Sequence, residues 1–404
     1  MKKQILHIDV NNAYLSWTAV EMLKQGSKID IRNIPAIIGG DQSKRSGIVL
    51  AKSMKAKECG VRTAETIYQA KIKCPGLQIF SSNFEIYQKY SDALYNLLLQ
   101  YTDKIERFSI DECFLDMTNY LMKDTLLNKA KEISKRVKEE LGFTVNIGVS
   151  SNKLLAKMAS DFTKPDKIHT LYQEEIPKKM WPLPIQDLFM LGRRSVPKLY
   201  NMQIKTIEDL AKTDKAILEK KFGKHGIMMW EYANGIDNTE VKYKKEKPKA
   251  IGNSITLPQN ITEIKKLEEI LLALAEQVTY RLRRHELLAN TVNVQLRTKD
   301  FEDSSHQGKL TIATATTKEI YSRAKQLLEE MYQDGKPIRL IGLRVDNLIE
   351  KEEGQLSLFE NKENKKQEKL DKTIDALKEK YGYHTITRAG KMKLQDMLKP
   401  KDIK

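Results

Sequence analysis

The chain has 404 residues, 40% of them hydrophobic, which exceeds the ~250–300 residues at which a single core stops growing, so several domains are expected. Lys plus Arg number 70 against 54 Asp plus Glu, and the formal net charge of +16 favours a polyanionic partner, nucleic acid or an anionic membrane. No apolar run approaches the ~20 residues of a membrane span, the run after Met1-Lys2-Lys3 is too short for a signal peptide, and neither the three cysteines nor the six histidines are spaced as disulfide or zinc ligands, so nucleic acid and a reducing, cytoplasmic setting are expected.

Ile5 to Val10 reads as a short buried strand with Asp9 near its end. An amphipathic stretch through Met22-Leu23-Lys24 follows, stopped at Gly26. Pro35 to Gly40 and Ile48 to Ala51 read as strands, and a lysine-rich run, Lys52 to Glu58, leads to Gly60-Val61. From Phe84 to Tyr101 aromatics and leucines recur at helical spacing. Then Ile105 to Asp116 passes through two adjacent acids, Asp111 and Glu112. Neighbouring side chains of a straight strand point to opposite faces, so the two acids act together only if the chain turns there, as in a hairpin. A helix from about Leu126 to Leu141, a strand from Thr144 to Ser150 and a helix from Asn152 to Phe162, ended by Pro165, complete a split βαββαβ arrangement with an insertion after its first strand.

Carboxylates gathered from two strands repel one another unless something positive lies between them. Hard oxygen ligands suit magnesium, and two such ions ~3.5–4 Å apart would activate an attacking hydroxyl and stabilise a leaving phosphate. An isolated Asp-Glu pair is ordinarily a solvated turn, so its weight here comes from the other segments. Asp9-Val10-Asn11 with Tyr14, Lys52 to Val61, Ser81 to Tyr87, Ser109 to Asp116 and Gly148 to Pro165 occur in an order that resembles the Y-family (lesion-bypass) DNA polymerases, on the bacterial UmuC-like branch. With later regions the likeness covers roughly residues 1–360.

The resemblance implies a palm (1–20 and 85–166), inserted fingers (21–84), a helix-hairpin-helix thumb (167–240), a linker (241–249), a little finger (250–349) and a tail (350–404), an α+β multidomain fold. It implies that Asp9, Asp111 and Glu112, with the Val10 carbonyl, hold two Mg2+ ions. Tyr14 matches the steric gate that excludes a ribose 2′-hydroxyl, though ordinary core packing would also suit it. Lys57 and Lys164 match triphosphate-binding cations, although a lysine run is also what a solvated helix face looks like. Family members often have Tyr at Met54 and Arg at Lys57; Met54 cannot donate a hydrogen bond and Lys57 lacks the planar fork of Arg, so a neighbour such as Lys52, Ser53 or Lys55 could share the load.

Further on, Met190 to Val196 resembles a helix-hairpin-helix turn, with Gly192, Arg193 and Arg194 placed to meet a DNA phosphate. Lys242 to Pro248 reads as an exposed linker. Ile251–Leu257, Ile264–Leu287, Thr291–Arg297, Lys309–Thr316, Lys318–Tyr332 and Ile338–Leu348 form a second βαββαβ pattern, whose Arg297 and Lys309 are expected on the DNA backbone. In the charged tail, Gln355-Leu356-Ser357-Leu358-Phe359 resembles the bacterial sliding-clamp peptide, with Gln355, Leu356, Leu358 and Phe359 as its anchors; a hydrophobic stub docking on its own protein is the alternative. One amphipathic helix is expected near Leu370 to Tyr381. The expected partners are primer-template DNA, deoxynucleoside triphosphates and a sliding clamp, with the protein a monomer. A palm-fold nucleotidyl cyclase and a clamp-tethered, inactive DNA-binding scaffold are the competing readings.

Overall fold

The structure is a computed structural model that describes residues 3–40, 47–121, 125–244, 246–333, 335–351, 362–382 and 385–386. Two compact units divide it, the second lying, apart from a short segment ending at Gly47, from Glu246 onward.

In the first unit β1 (Ile5–Val10) runs into α1 (Ala13–Lys24). The insertion comes next: β2 (Ala36–Gly39), β3 (Val49–Lys52), α2 (Met54–Glu58), α3 (Ile67–Lys73) and β4 (Gln78–Ser81). The chain then returns through α4 (Phe84–Leu98), β5 (Ile105–Arg107), β6 (Glu112–Asp116), α5 (Leu126–Arg136), β7 (Val145–Ser150), α6 (Lys153–Asp161) and β8 (Ile168–Thr170). Side-chain caps from Ser53, Thr66, Asn83, Thr125 and Asn152 start α2 to α6, each satisfying backbone N–H groups that the first helical turn leaves open.

The palm sheet has the order β5-β6-β1-β7-β8. β1 lies antiparallel between β6 and β7, with every one of its residues buried, which explains its largely apolar character; His7 and Asp9 are its buried polar exceptions. The fifth strand, β8, extends this sheet beyond residue 166, where the sequence reading ended the palm. The helix expected over 126–141 is α-helical to Arg136 and continues as a wider π-type segment, Val137–Leu141. The fingers carry their own three-stranded sheet, β3-β2-β4, and a small core of Ile37, Val49, Ala56, Val61, Ile67, Ala70 and Cys74. Short helices form the thumb: α7 (Ile176–Lys179), α8 (Val196–Tyr200), α9 (Ile207–Lys212), α10 (Lys215–Phe222) and α11 (Lys224–Ala233).

The second unit follows the expected second βαββαβ order: β9 (Ala250–Ile261), α12 (Ile264–Arg284), β10 (Leu287–Thr298), β11 (Asp303–Thr314), α13 (Thr317–Met331) and β12 (Ile338–Glu350). Its sheet runs β11-β10-β12-β9. A last helix, α14 (Lys362–Tyr381), is longer than the sequence indicated. Two of its acids help hold it. Asp375 takes a bidentate pair from Arg283, and the buried Asp371 accepts the Thr317 N–H at the start of α13.

Candidate active site

The Asp9 end of β1 carries the acidic cluster. Asp9 is the cross-strand partner of Glu112, and the Val10 N–H donates to the Asp111 carbonyl at 3.1 Å. Phe108 and Ser109 N–H groups both donate to the Glu112 carbonyl, so the chain does turn before β6. Asp111 sits on that turn, its carboxylate accepting from Ser109 Oγ at 2.6 Å. Asp9, Val10, Asp111 and Glu112 then line one cavity of about 440 Å³ together with Tyr14, Lys52, Met54, Lys57, Thr63 and Lys164.

Two lysines neutralise the acids. Lys157 Nζ lies 2.7 Å from Glu112, 3.5 Å from Asp9 and 3.0 Å from Asp161. Lys164 Nζ lies 2.6 Å from Asp9 and 2.9 Å from Asp161. Burial opposes the charge on both lysines, but the surrounding carboxylates outweigh it and hold both pKa values above the ordinary lysine value. Glu112 moves up from the usual carboxylate range because burial outweighs the Lys157 contact, with Asp9 and Asp111 adding repulsion. Beneath it His7 is fully buried and stays neutral, since burial and the nearby Lys157 push its pKa well down. Ser160 Oγ donates to the Lys157 carbonyl and lies 2.7 Å from His7 Nδ1.

As placed, no three His, Cys, Asp or Glu side chains among the described residues converge closely enough to hold a metal ion by themselves. The chemistry of the donor set nevertheless fits a hard divalent cation. Three carboxylates face one cavity, and Asp9 and Glu112 already share one positive nitrogen.

Sequence reasoning missed Lys157. It lies on α6, far along the chain from both acids, and only packing brings it to them. Gly148 permits that packing: a Cβ there would stand 1.8 Å from the Ala156 carbonyl oxygen, so only glycine lets α6 approach β7 this closely. Asn146 ties the end of the same helix by donating to the Ser160 and Thr163 carbonyls.

Tyr14 stands on the first turn of α1, directed there by Asn12, which adopts a left-handed conformation (φ 48°). Its ring stacks on Tyr87 at 4.4 Å and meets Phe84 edge-on, so the cavity wall here is backed by other rings. On the fingers side Lys57 is exposed and lines the cavity, as does Met54. Of the neighbours considered for it, Lys52 lines the cavity and donates to Thr63. Ser53 does not share the load: it is buried, and its Oγ accepts from the Ala36 and Ala56 N–H groups.

Of the other sequence-derived positions, Gly192, Arg193, Arg194, Arg297 and Lys309 are not among the residues that line this cavity. Gly192, Arg193 and Arg194 are exposed on the thumb turn before α8. In the second unit Lys309 is exposed on β11, whereas Arg297 makes a bidentate pair with Asp303 across the strands. Gln355 to Phe359 lie outside the described residues.

Family models match along most of the chain. The impB/mucB/samB family matches residues 8–161, its C-terminal domain residues 248–358, and the DNA polymerase-iota thumb domain residues 186–237. A DNA polymerase IV of Clostridium acetobutylicum is 47% identical over 96% of this chain and 98% of its own length. The chain belongs to the Y-family of DNA polymerases. Another member, a DNA polymerase IV of Acetivibrio thermocellus, is 38% identical over 96% of this chain and 97% of its own. A solved Y-family DNA polymerase chimera shares the fold, with a TM-score of 0.74, 22% identity, and coverage of 86% of this chain and 99% of the other. Among the described residues no helix is long and apolar enough to cross a membrane.

Proposed function

We propose that this Y-family member is a template-directed DNA polymerase that adds deoxynucleotides to a primer 3′-end and copies past damaged template bases. The observation that carries this reading is the cavity in which Asp9, Asp111 and Glu112 face Lys52, Lys57 and Lys164. Acids on the palm wall, with Lys52 and Lys57 on the fingers wall and Lys164 beside Asp9, supply what a primer terminus and a triphosphate require.

Asp9, Asp111 and Glu112, with the Val10 carbonyl, would hold two Mg2+ ions, which when bound supply charge neutralisation for the attacking 3′-hydroxyl and the departing pyrophosphate. The protein's own part is placement. Lys52 and Lys57 draw in the triphosphate as point charges, and Lys164 reaches it from the palm. Tyr14, backed by Tyr87 and Phe84, closes the space that a ribose 2′-hydroxyl would fill. Little covalent chemistry falls to side chains, so alignment and charge supply most of the rate. The exposed Arg193 and Arg194 of the thumb turn and Lys309 of the little finger would meet DNA phosphates, which fixes register without reading sequence. Gln355 to Phe359 would tether the monomeric polymerase to a sliding clamp.

Primer extension on an undamaged and on an abasic-site template tests this reading. Wild type should extend both in Mg2+, and Asp111→Ala should lose at least ~10²-fold, the scale of a single electrostatic contact in a transition state. Template-free cyclisation of a triphosphate, or tight DNA binding without extension, would replace the reading by a cyclase or a scaffold. Deleting 355–359 should abolish binding to purified sliding clamp and spare clamp-free extension; retained clamp binding would remove that partner.

A further inference from the structure

The fingers contain a pair of cysteines that the polymerase reading does not use. Cys59 caps the C-terminal end of α2 and is exposed; Cys74 caps the C-terminal end of α3 and is 1% exposed, within the fingers core. Fifteen positions apart in the chain, their sulfurs lie 2.9 Å from each other, with the Cys74 thiol donating to Cys59 Sγ. The third cysteine, Cys113, is buried in the palm sheet.

We propose that Cys59 and Cys74 form a reversible, hydroperoxide-sensitive disulfide site on the fingers. Their arrangement divides the two roles such a site needs, an accessible sulfur that meets the oxidant and an adjacent sheltered sulfur that resolves it. Cys59 Sγ, as thiolate, attacks the terminal oxygen of a hydroperoxide, the O–O bond breaks, and the other oxygen leaves as alkoxide, or as hydroxide from hydrogen peroxide, to give a sulfenic acid. Cys74 Sγ then attacks the Cys59 sulfur, the S–O bond breaks, and the released hydroxide takes the Cys74 proton as water. For hydrogen peroxide, two thiols and one peroxide become one disulfide and two waters, the pair losing two electrons and the peroxide gaining them. Burial, with the Cys59 contact, pushes the Cys74 thiol up to about 11, so it waits as a thiol until its neighbour is oxidised.

The site sits where it can reach nucleotide binding. Lys57 and Met54, both lining the cavity, lie on α2 itself, and the bond would pin the end of that helix to the end of α3. This consequence rests on the polymerase reading; the chemistry does not.

The test uses the full chain treated with increasing hydrogen peroxide, quenched by alkylation under denaturing conditions and mapped by mass spectrometry without reduction. The expected result is a Cys59–Cys74 cross-linked peptide, lighter by two hydrogens, that dithiothreitol removes, while Cys113 stays alkylated. Cys74→Ser should leave a Cys59 sulfenic acid that dimedone traps, and the exposed-site variant Cys59→Ser should leave Cys74 a free thiol. Cys59 driven to sulfinic acid with Cys74 still alkylated would overturn the proposal. In wild type the cross-link should raise the deoxynucleotide KM roughly threefold, the scale of one weakened hydrogen bond. An unchanged KM, or an equal rise in Cys59→Ser, would overturn the link to Lys57 and leave the mapping result to judge the chemistry.

Discussion

Replacing Lys157 by methionine keeps the length and apolar stem of the side chain and removes one buried charge. That charge is 2.7 Å from Glu112 and 3.5 Å from Asp9, on a side chain only 9% exposed. Taking one partner from a buried ion pair costs about 3–5 kcal/mol, because the remaining charge stays desolvated. Lys164 still serves Asp9, and the Asp161 contact is 44% exposed and adds little, so the low end, about 3 kcal/mol, applies. At roughly 2–4 °C per kcal/mol for a unit of this size, the thermal midpoint in EDTA should fall by about 6–12 °C. Millimolar Mg2+ should restore much of it, since a divalent cation can take over the vacated neutralisation, and the variant should gain more from Mg2+ than wild type does. Thermal unfolding of both proteins in EDTA and in Mg2+ measures this. An unchanged midpoint in EDTA, or a loss indifferent to Mg2+, would refute the view that Lys157 neutralises the carboxylate pair.

Two further outcomes follow from the same site. Tyr14→Ala should raise ribonucleotide incorporation relative to deoxynucleotide, read by single-nucleotide extension; unchanged sugar selectivity would show that the ring does not guard the 2′ position. Gly148→Ala should destabilise by about 3 kcal/mol or more in denaturant unfolding, the upper range of overpacking, because the clash is with backbone rather than with a flexible side chain. A change below about 0.5 kcal/mol, typical of a surface substitution, would mean that α6 is free to shift.

The chain's own order of residues determined a good deal. Ile5 to Val10 is apolar except at His7 and Asp9 because the strand is buried on both faces, and the alternation around β10 announced a sheet with one covered face. The two βαββαβ patterns were legible as local signals, and the acids at Asp9, Asp111 and Glu112 were legible as candidates from a strand end and a turn, whereas Tyr14 was marked only by the family resemblance, since core packing suits that ring equally well. What only the tertiary structure decided were contacts between residues distant in sequence. Lys157 reaches Glu112 and Asp9 because Gly148 lets a helix close on a strand, and no local pattern in α6 marks that lysine apart from its neighbours. The Cys59–Cys74 pair depends on two separate helix ends meeting, so their spacing carried no sign of it. Likewise the sequence marked an amphipathic helix near Leu370 to Tyr381 without saying what it meets; Asp371 and Asp375 dock it onto Arg283 and the start of α13. Periodicity reports which face of an element is covered; it does not report what covers it, and the charge balance of this site is set by what does.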